Sequence, residues 1–224
     1  MNKKESKKRI KLANMCKAAW TMKKSRKYIK EELIQGNTFN FPNTDVEGFW
    51  GEDLEGCYII FRSTELYNLE EWSDNFDLHK RRIGKIKYHR GVADKLDIEV
   101  VDFIKRLLKE LNKANKPIYI TGHSLGGVLA RLVGYYATID NIKYDHIYTF
   151  GSYASGKRKF HKLMRDKITN VFARHDFAVC FNWFLHLLGY RAKHEYIEDN
   201  GKWYHWNYHF INVYIDSLEN NLDK

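Results

Sequence analysis

The sequence predicts an α/β fold: a mostly parallel sheet flanked by helices, in a single domain. Short apolar runs that read as buried strands alternate with longer segments whose apolar residues recur at helical spacing. One strand-to-helix junction carries a serine flanked by glycines. At 224 residues, with two prolines (Pro42 and Pro117) and no Gly/Ser/Pro-rich linker, the chain suits one domain with a sizeable core and is short for two.

From Ile10 to Ile34, Ala13, Cys16, Ala19, Trp20, Tyr28, Ile29 and Leu33 fit one helical face, and Gly36 and Asn37 stop the pattern. Residues 1–36 are thus expected to be a basic helical segment packed on a domain of residues 37–224. A loop rich in turn residues follows, then a buried strand at Cys57-Tyr58-Ile59-Ile60-Phe61. Between Glu99 and Asn112 the residues Val100, Phe103, Ile104, Leu107, Leu108 and Leu111 recur at helical spacing, and Lys116-Pro117 ends the helix. Ile118-Tyr119-Ile120-Thr121 reads as strand, Leu125 to Tyr136 as helix, His146 to Phe150 and Asn170 to Ala173 as strands. Strands alternating with helices in this way form βαβ units.

The formal charge of +10 points to a negatively charged partner or to a solvated helical face. Much of the excess lies early, in Lys3, Lys4, Lys7, Lys8, Arg9 and Lys11, then Lys23, Lys24, Arg26 and Lys27. Nucleic acid is disfavoured, since no zinc-finger, RNP-type or helix-turn-helix signature accompanies the charge; an anionic membrane surface is the alternative. Cys16, Cys57 and Cys180 are widely spaced and odd in number, which suits a reducing compartment and no metal site. No apolar run follows the basic N-terminus, so no signal peptide is read. The apolar stretch Phe177 to Tyr190 is too short to span a bilayer. A cytoplasmic protein is the expectation, with peripheral contact at an anionic membrane as one of the two readings of the charge.

Between the strand at Ile118 and the helix at Leu125 stands Gly122-His123-Ser124-Leu125-Gly126-Gly127, a G-x-S-x-G pattern. A serine on a sharp turn from strand to helix projects its hydroxyl clear of the sheet. The turn crowds the residues two before and two after, so both must lack a side chain. The helix that follows aims its free N–H groups at the reacting oxygen.

Around this turn the sequence resembles the class 3 lipases, the fungal-lipase-like branch of the α/β-hydrolases, from about Tyr58 to Leu218. Residues Ile120 to Gly127, with Leu129-Ala130, match the family's T-G-H-S-L-G-G-A-L-A nearly letter for letter. Phe61-Arg62-Ser63-Thr64 is similar to its F-R-G-S/T, Tyr88-His89-Arg90-Gly91-Val92 to V-H-x-G-F, and Tyr148-Thr149-Phe150-Gly151-Ser152 to Y-T-F-G-x-P without the proline.

Ester hydrolysis by serine needs a base for the hydroxyl proton and a carboxylate to orient that base. In α/β-hydrolases the chain order is Ser, Asp or Glu, His. Asp176 follows the strand ending at Ala173, and Arg174-His175-Asp176-Phe177-Ala178-Val179 resembles the family's R-x-x-D-x-V-P. Of the downstream histidines, His209 is favoured, because His209 to Leu218 resembles the family's H-x-x-x-x-Y-x-x-x-L; His205 is the runner-up, and His194 matches a structural G-Y-x-H region. For the oxyanion, one donor is the N–H of Leu125, directly after the nucleophile. The resemblance implies Thr64 as the second, although Ser63 replaces the neighbouring glycine and its freer backbone.

After Thr64 the family carries a movable lid. Leu69, Trp72 and Phe76 here form the apolar stripe of a short amphipathic helix, either a lid that turns toward lipid or an ordinary packed helix. Trp203, Tyr204, Trp206 and Tyr208 cluster before His209, as suits an acyl pocket, a membrane boundary or a core. The sequence therefore implies a lipase- or phospholipase-type ester hydrolase with a lipid or other acyl-ester substrate and no metal or cofactor. A thioesterase or acyltransferase with the same triad, and a catalytically silent lipid-binding module, are the alternatives. Oligomeric state is not legible.

Overall fold

The computed structural model describes residues 3–63, 79–202 and 204–222. Helices α1 (Lys3–Ala18) and α2 (Met22–Glu32) lead into strands β1 (Gln35–Phe41), β2 (Val46–Glu52) and β3 (Cys57–Phe61). Next come β4 (Lys80–Ile83), β5 (Ile86–His89), α3 (Arg90–Lys95) and α4 (Ile98–Leu111), then β6 (Ile118–His123), α5 (Leu125–Ile139) and β7 (His146–Phe150). The remainder is β8 (Gly156–Lys157), α6 (Arg158–Met164), β9 (Ile168–Ala173), α7 (Ala178–Leu187), β10 (Tyr190–Arg191), β11 (Glu195–Ile197), a 3₁₀ turn at Trp206–His209 and α8 (Ile211–Asn220).

The main sheet has the order β1-β2-β3-β6-β7-β9-β11. Strands β3, β6, β7, β9 and β11 run parallel, and β1 and β2 extend the sheet antiparallel at one edge. A smaller antiparallel sheet, β10-β8-β5-β4, stands beside it. This is a mostly parallel sheet flanked by helices in one domain, as in the α/β-hydrolases.

Alternation along the central strands explains the two layers. Cys57, Ile59 and Phe61 of β3 join Ile118 and Ile120 of β6 in a core beneath α4 and α5, while Tyr58 and Ile60 face the other way. That second core holds Tyr148, Phe150, Val171 and Ala173 against α1 and α8. Helix α1 buries Leu12, Ala13 and Met15 completely, so its lysines decorate a helix anchored in the core. Arg9 ties it to the far sheet edge through Glu195, at 2.9 Å.

Two expectations need correction. The helix read from Ile10 to Ile34 is two helices: Thr21 is extended and its side chain accepts from Lys24 N–H at 3.2 Å, an N-cap that starts α2 anew. The segment read as a turn-rich loop after Gly36 is the β1–β2 hairpin, paired from Gln35↔Glu52 to Phe41↔Val46. Gly36 thus lies in a strand, where an added Cβ would meet Trp50 O at 2.4 Å. The stripe of Leu69, Trp72 and Phe76 lies outside the described residues.

Candidate active site

Ser124 sits between β6 and α5 with φ +50° and ψ −122°, a conformation that is strained for a residue with a side chain. Its N–H donates to Phe150 O on the neighbouring strand at 2.9 Å. The turn is possible only because backbone passes against backbone on both sides. A Cβ on Gly122 would lie 2.3 Å from the carbonyl carbon of Gly126, and one on Gly126 would lie 2.4 Å from Phe61 O. The glycine spacing thus follows from steric contact of β3, β6 and the first turn of α5.

Three segments converge on the Ser124 hydroxyl. His209 Nε2 lies 2.9 Å from Ser124 Oγ, and His209 Nδ1 lies 2.9 and 2.8 Å from the two carboxylate oxygens of Asp176. A carboxylate accepts, so Nδ1 carries the proton and Nε2 presents its lone pair to the serine. Ser124 is 7% exposed, His209 1% and Asp176 0%. Asp176 is held further by Ala178 N–H, which donates to Oδ1 at 2.7 Å, and by Tyr214 Oη, which donates to Oδ2. Burial first, and then the neighbouring Asp176 charge, push the Tyr214 phenol well above its ordinary pKa, so it remains a donor.

His123 closes the back of the site. Its Nε2 lies 2.7 Å from the carbonyl oxygen of His209, which can only accept, so the proton sits on Nε2. Its ring centre lies 4.9 Å from that of His209. Burial, reinforced by His209, holds His123 well below its ordinary pKa and keeps it neutral.

The other two histidine candidates bond to groups other than Ser124. His205 is exposed and caps the turn at Trp206–His209, its Nδ1 accepting from Asn207 N–H at 3.1 Å. His194 packs edge-on against Phe172 with ring centres 4.7 Å apart, and its Nδ1 accepts from Asn170 at 3.0 Å. Burial, and then nearby cations led by Arg131, lower its pKa to about 3. Leu125 is the first residue of α5, so its N–H has no partner within the helix and faces the serine end. Thr64 and Trp203 lie outside the described residues. Tyr204 is half-exposed, its ring 6.0 Å from that of His175. Among the described residues, no three His, Cys, Asp or Glu side chains are grouped to hold a metal ion.

Sequence reasoning assigned no role to Tyr214, His123 or Ala178. Tyr214 carried a usable signal: it stands five residues after His209, on a helix whose apolar face is buried.

Fold and site together define an α/β-hydrolase with a buried serine, histidine and carboxylate in one hydrogen-bonded row. The family model described as Lipase (class 3) matches residues 58–181, more than half of the chain. The chain belongs to the class 3 lipase family, a family of ester hydrolases. The Rhizomucor miehei lipase in its propeptide complex has a TM-score of 0.67 at 18% identity, covering 90% of this chain and 70% of that one. A lipase from Rhizopus microsporus var. chinensis gives 0.70 at 19% identity, over 90% and 77%. Lipase II from Rhizopus niveus gives 0.66 at 17% identity, over 89% and 81%. At these identities the likeness is one of fold. No curated protein matches the sequence significantly.

Proposed function

We propose that this chain hydrolyses acyl esters of lipids at a membrane surface, with Ser124 as nucleophile, His209 as base and Asp176 as the group that orients and stabilises the imidazole. The observation that carries this reading is the unbroken row from Asp176 through His209 to Ser124 Oγ, each link within 2.9 Å.

Ser124 Oγ attacks the acyl carbon while its proton passes to His209 Nε2. The imidazolium is stabilised by the Asp176 carboxylate, which Ala178 N–H and Tyr214 Oη hold in place by donating to its two oxygens. Negative charge on the former carbonyl oxygen is met by Leu125 N–H at the positive end of α5, with Thr64 as the second donor. The tetrahedral intermediate collapses, the alcohol leaves with the proton from His209, and an acyl-enzyme remains. Water, activated by the same imidazole, then releases the fatty acid and restores Ser124.

Two features favour a lipid surface. Helix α7 begins two residues after Asp176 and exposes Trp183 by 69% and Leu187 by 66%, with Phe184 and Leu188 beside them. Such a patch on a folded chain marks a contact surface, and tryptophan favours the membrane boundary. Next to it Lys157 donates to Leu188 O, and its pKa falls to about 8, first through burial and then through Lys80, Arg191 and Lys87. Apolar residues beside crowded cations suit anionic lipid. The exposed Lys23, Lys24, Arg26, Lys27 and Lys30 of α2 add to the charge. No described helix is long and apolar enough to cross a membrane.

The test is fatty-acid release from neutral and from anionic phospholipid vesicles, beside a soluble short-chain ester. Faster release from anionic vesicles is expected, and loss of all three activities in Ser124→Ala. Equal rates on both vesicles would remove the anionic-surface element, and cleavage of the soluble ester alone would make the chain an esterase rather than a lipase.

A further inference from the structure

Helices α5 and α6 and strand β10 enclose a pocket whose polar lining is Arg131, His161, Arg165, Arg191 and Lys193. The pocket leaves about 20 Å³ for the centres of water-sized atoms. That is room for a compact ion and far too little for an acyl chain.

Arg131 forms its floor and is unusual in being 2% exposed with no carboxylate beside it among the described residues. Its Nη2 donates to Tyr153 O and to Ser155 Oγ, the latter at 3.1 Å, but its Nε has no partner. Burying a guanidinium without a counter-charge is costly, because desolvation is not offset. Nearby imidazoles tell the same story: His186 Nε2 and His194 Nε2 are buried without partners. His161, His186 and His194 are all held below the ordinary histidine pKa, by burial first and then by surrounding cations. Asp166 lies 3.6 Å from Arg165 but is 88% exposed and does not line the pocket. Positive potential is therefore concentrated around a small, partly open space.

We infer that this pocket binds a compact oxyanion of the phosphate class, with Arg131 beneath it and Arg165, Arg191 and Lys193 at the rim. Four cations around one small volume match a doubly charged tetrahedral anion better than a single carboxylate, and guanidinium forks suit phosphate oxygens. The anion supplies the counter-charge that Arg131 lacks. It would also link α5, α6 and β10, whose residues line the pocket. The site is independent of ester hydrolysis, since none of its residues touches Ser124, Asp176 or His209.

The test is calorimetric titration of the full chain with inorganic phosphate, and separately with glycerol 3-phosphate, in chloride buffer of constant ionic strength. Saturable one-site binding is expected. The rim variant Arg165→Gln/Lys193→Gln should bind about tenfold more weakly or worse, while its unfolding temperature in phosphate-free buffer and its cleavage of a soluble ester stay unchanged. Arg131→Gln should abolish binding; should it fail to fold, the rim variant alone decides. Binding of inorganic phosphate only would assign the free ion, and binding of both would assign a phosphomonoester group. No saturable heat with either ligand, or equal affinity in the rim variant, would overturn the inference.

Discussion

Replacing Asp176 by asparagine tests the orienting role of this carboxylate with almost no change in shape. Asp176 Oδ1 accepts from Ala178 N–H at 2.7 Å, and backbone cannot reverse that bond, so the asparagine oxygen must stay at this position. Its amide nitrogen then occupies the place of Oδ2, which lies 2.8 Å from His209 Nδ1 and accepts from Tyr214 Oη. An NH₂ there donates toward His209 Nδ1 along the shorter of its two contacts with this side chain, which favours the tautomer with the ring proton on Nε2. That nitrogen then points an N–H at Ser124 Oγ, 2.9 Å away, and cannot take the hydroxyl proton. In serine triads the wrong tautomer of this kind costs about 10⁴-fold in kcat, or roughly 5.5 kcal/mol of transition-state stabilisation. The assay is hydrolysis of a soluble chromogenic ester at pH 7, with circular dichroism to establish the fold. Folded Asp176→Asn within about tenfold of the parent rate would refute the tautomer argument.

Four further outcomes follow. Tyr214→Phe removes a donor to a buried carboxylate and should lower stability by roughly 1.5–3 kcal/mol in denaturant titration; an unchanged midpoint would show that the Tyr214–Asp176 bond contributes nothing. Cys16 and Cys57 are buried with pKa values pushed up to about 12 and about 11, chiefly by burial, whereas Cys180 is exposed. Iodoacetamide at pH 8 should therefore label Cys180 alone in the native chain and all three on unfolding, read by mass spectrometry. His123 and His194 are both lowered on folding, so the unfolded chain binds their protons more readily; stability should be complete above pH 6.5 and fall as pH drops below it, by at most about 1.4 kcal/mol per pH unit per group. A flat thermal midpoint from pH 7 to pH 4.5 would contradict this. Trp183→Ser/Leu187→Ser should cut binding to anionic vesicles about tenfold or more in co-sedimentation and leave soluble-ester cleavage intact; undiminished sedimentation would move the contact surface away from α7.

The elements that were legible in the sequence are those set by local sterics and by burial on both faces. Gly122 and Gly126 announce the turn at Ser124 because any Cβ there strikes backbone, and the runs at Cys57, Ile118 and His146 are rich in apolar residues without strict alternation because helices cover both faces of those strands. The β1–β2 hairpin was hidden because Gln35, Asn37 and Asn40 are polar and exposed, as an edge strand allows. The break before α2 hangs on a single capping bond at Thr21, which an unbroken helical periodicity conceals. At the site, His209 was reachable only through the run His209 to Leu218, since spacing alone does not separate it from His205. Arg131 gave no signal at all, because a lone arginine in an apolar helix reveals neither its burial nor its missing counter-charge.

The most direct test of the proposed chemistry is a fluorophosphonate probe with mass-spectrometric location of the adduct. A hydroxyl activated by His209 should form one adduct, on Ser124, that is absent in Ser124→Ala and strongly slowed in His209→Ala. No adduct on Ser124, even with lipid vesicles present, or undiminished labelling in His209→Ala, would contradict it.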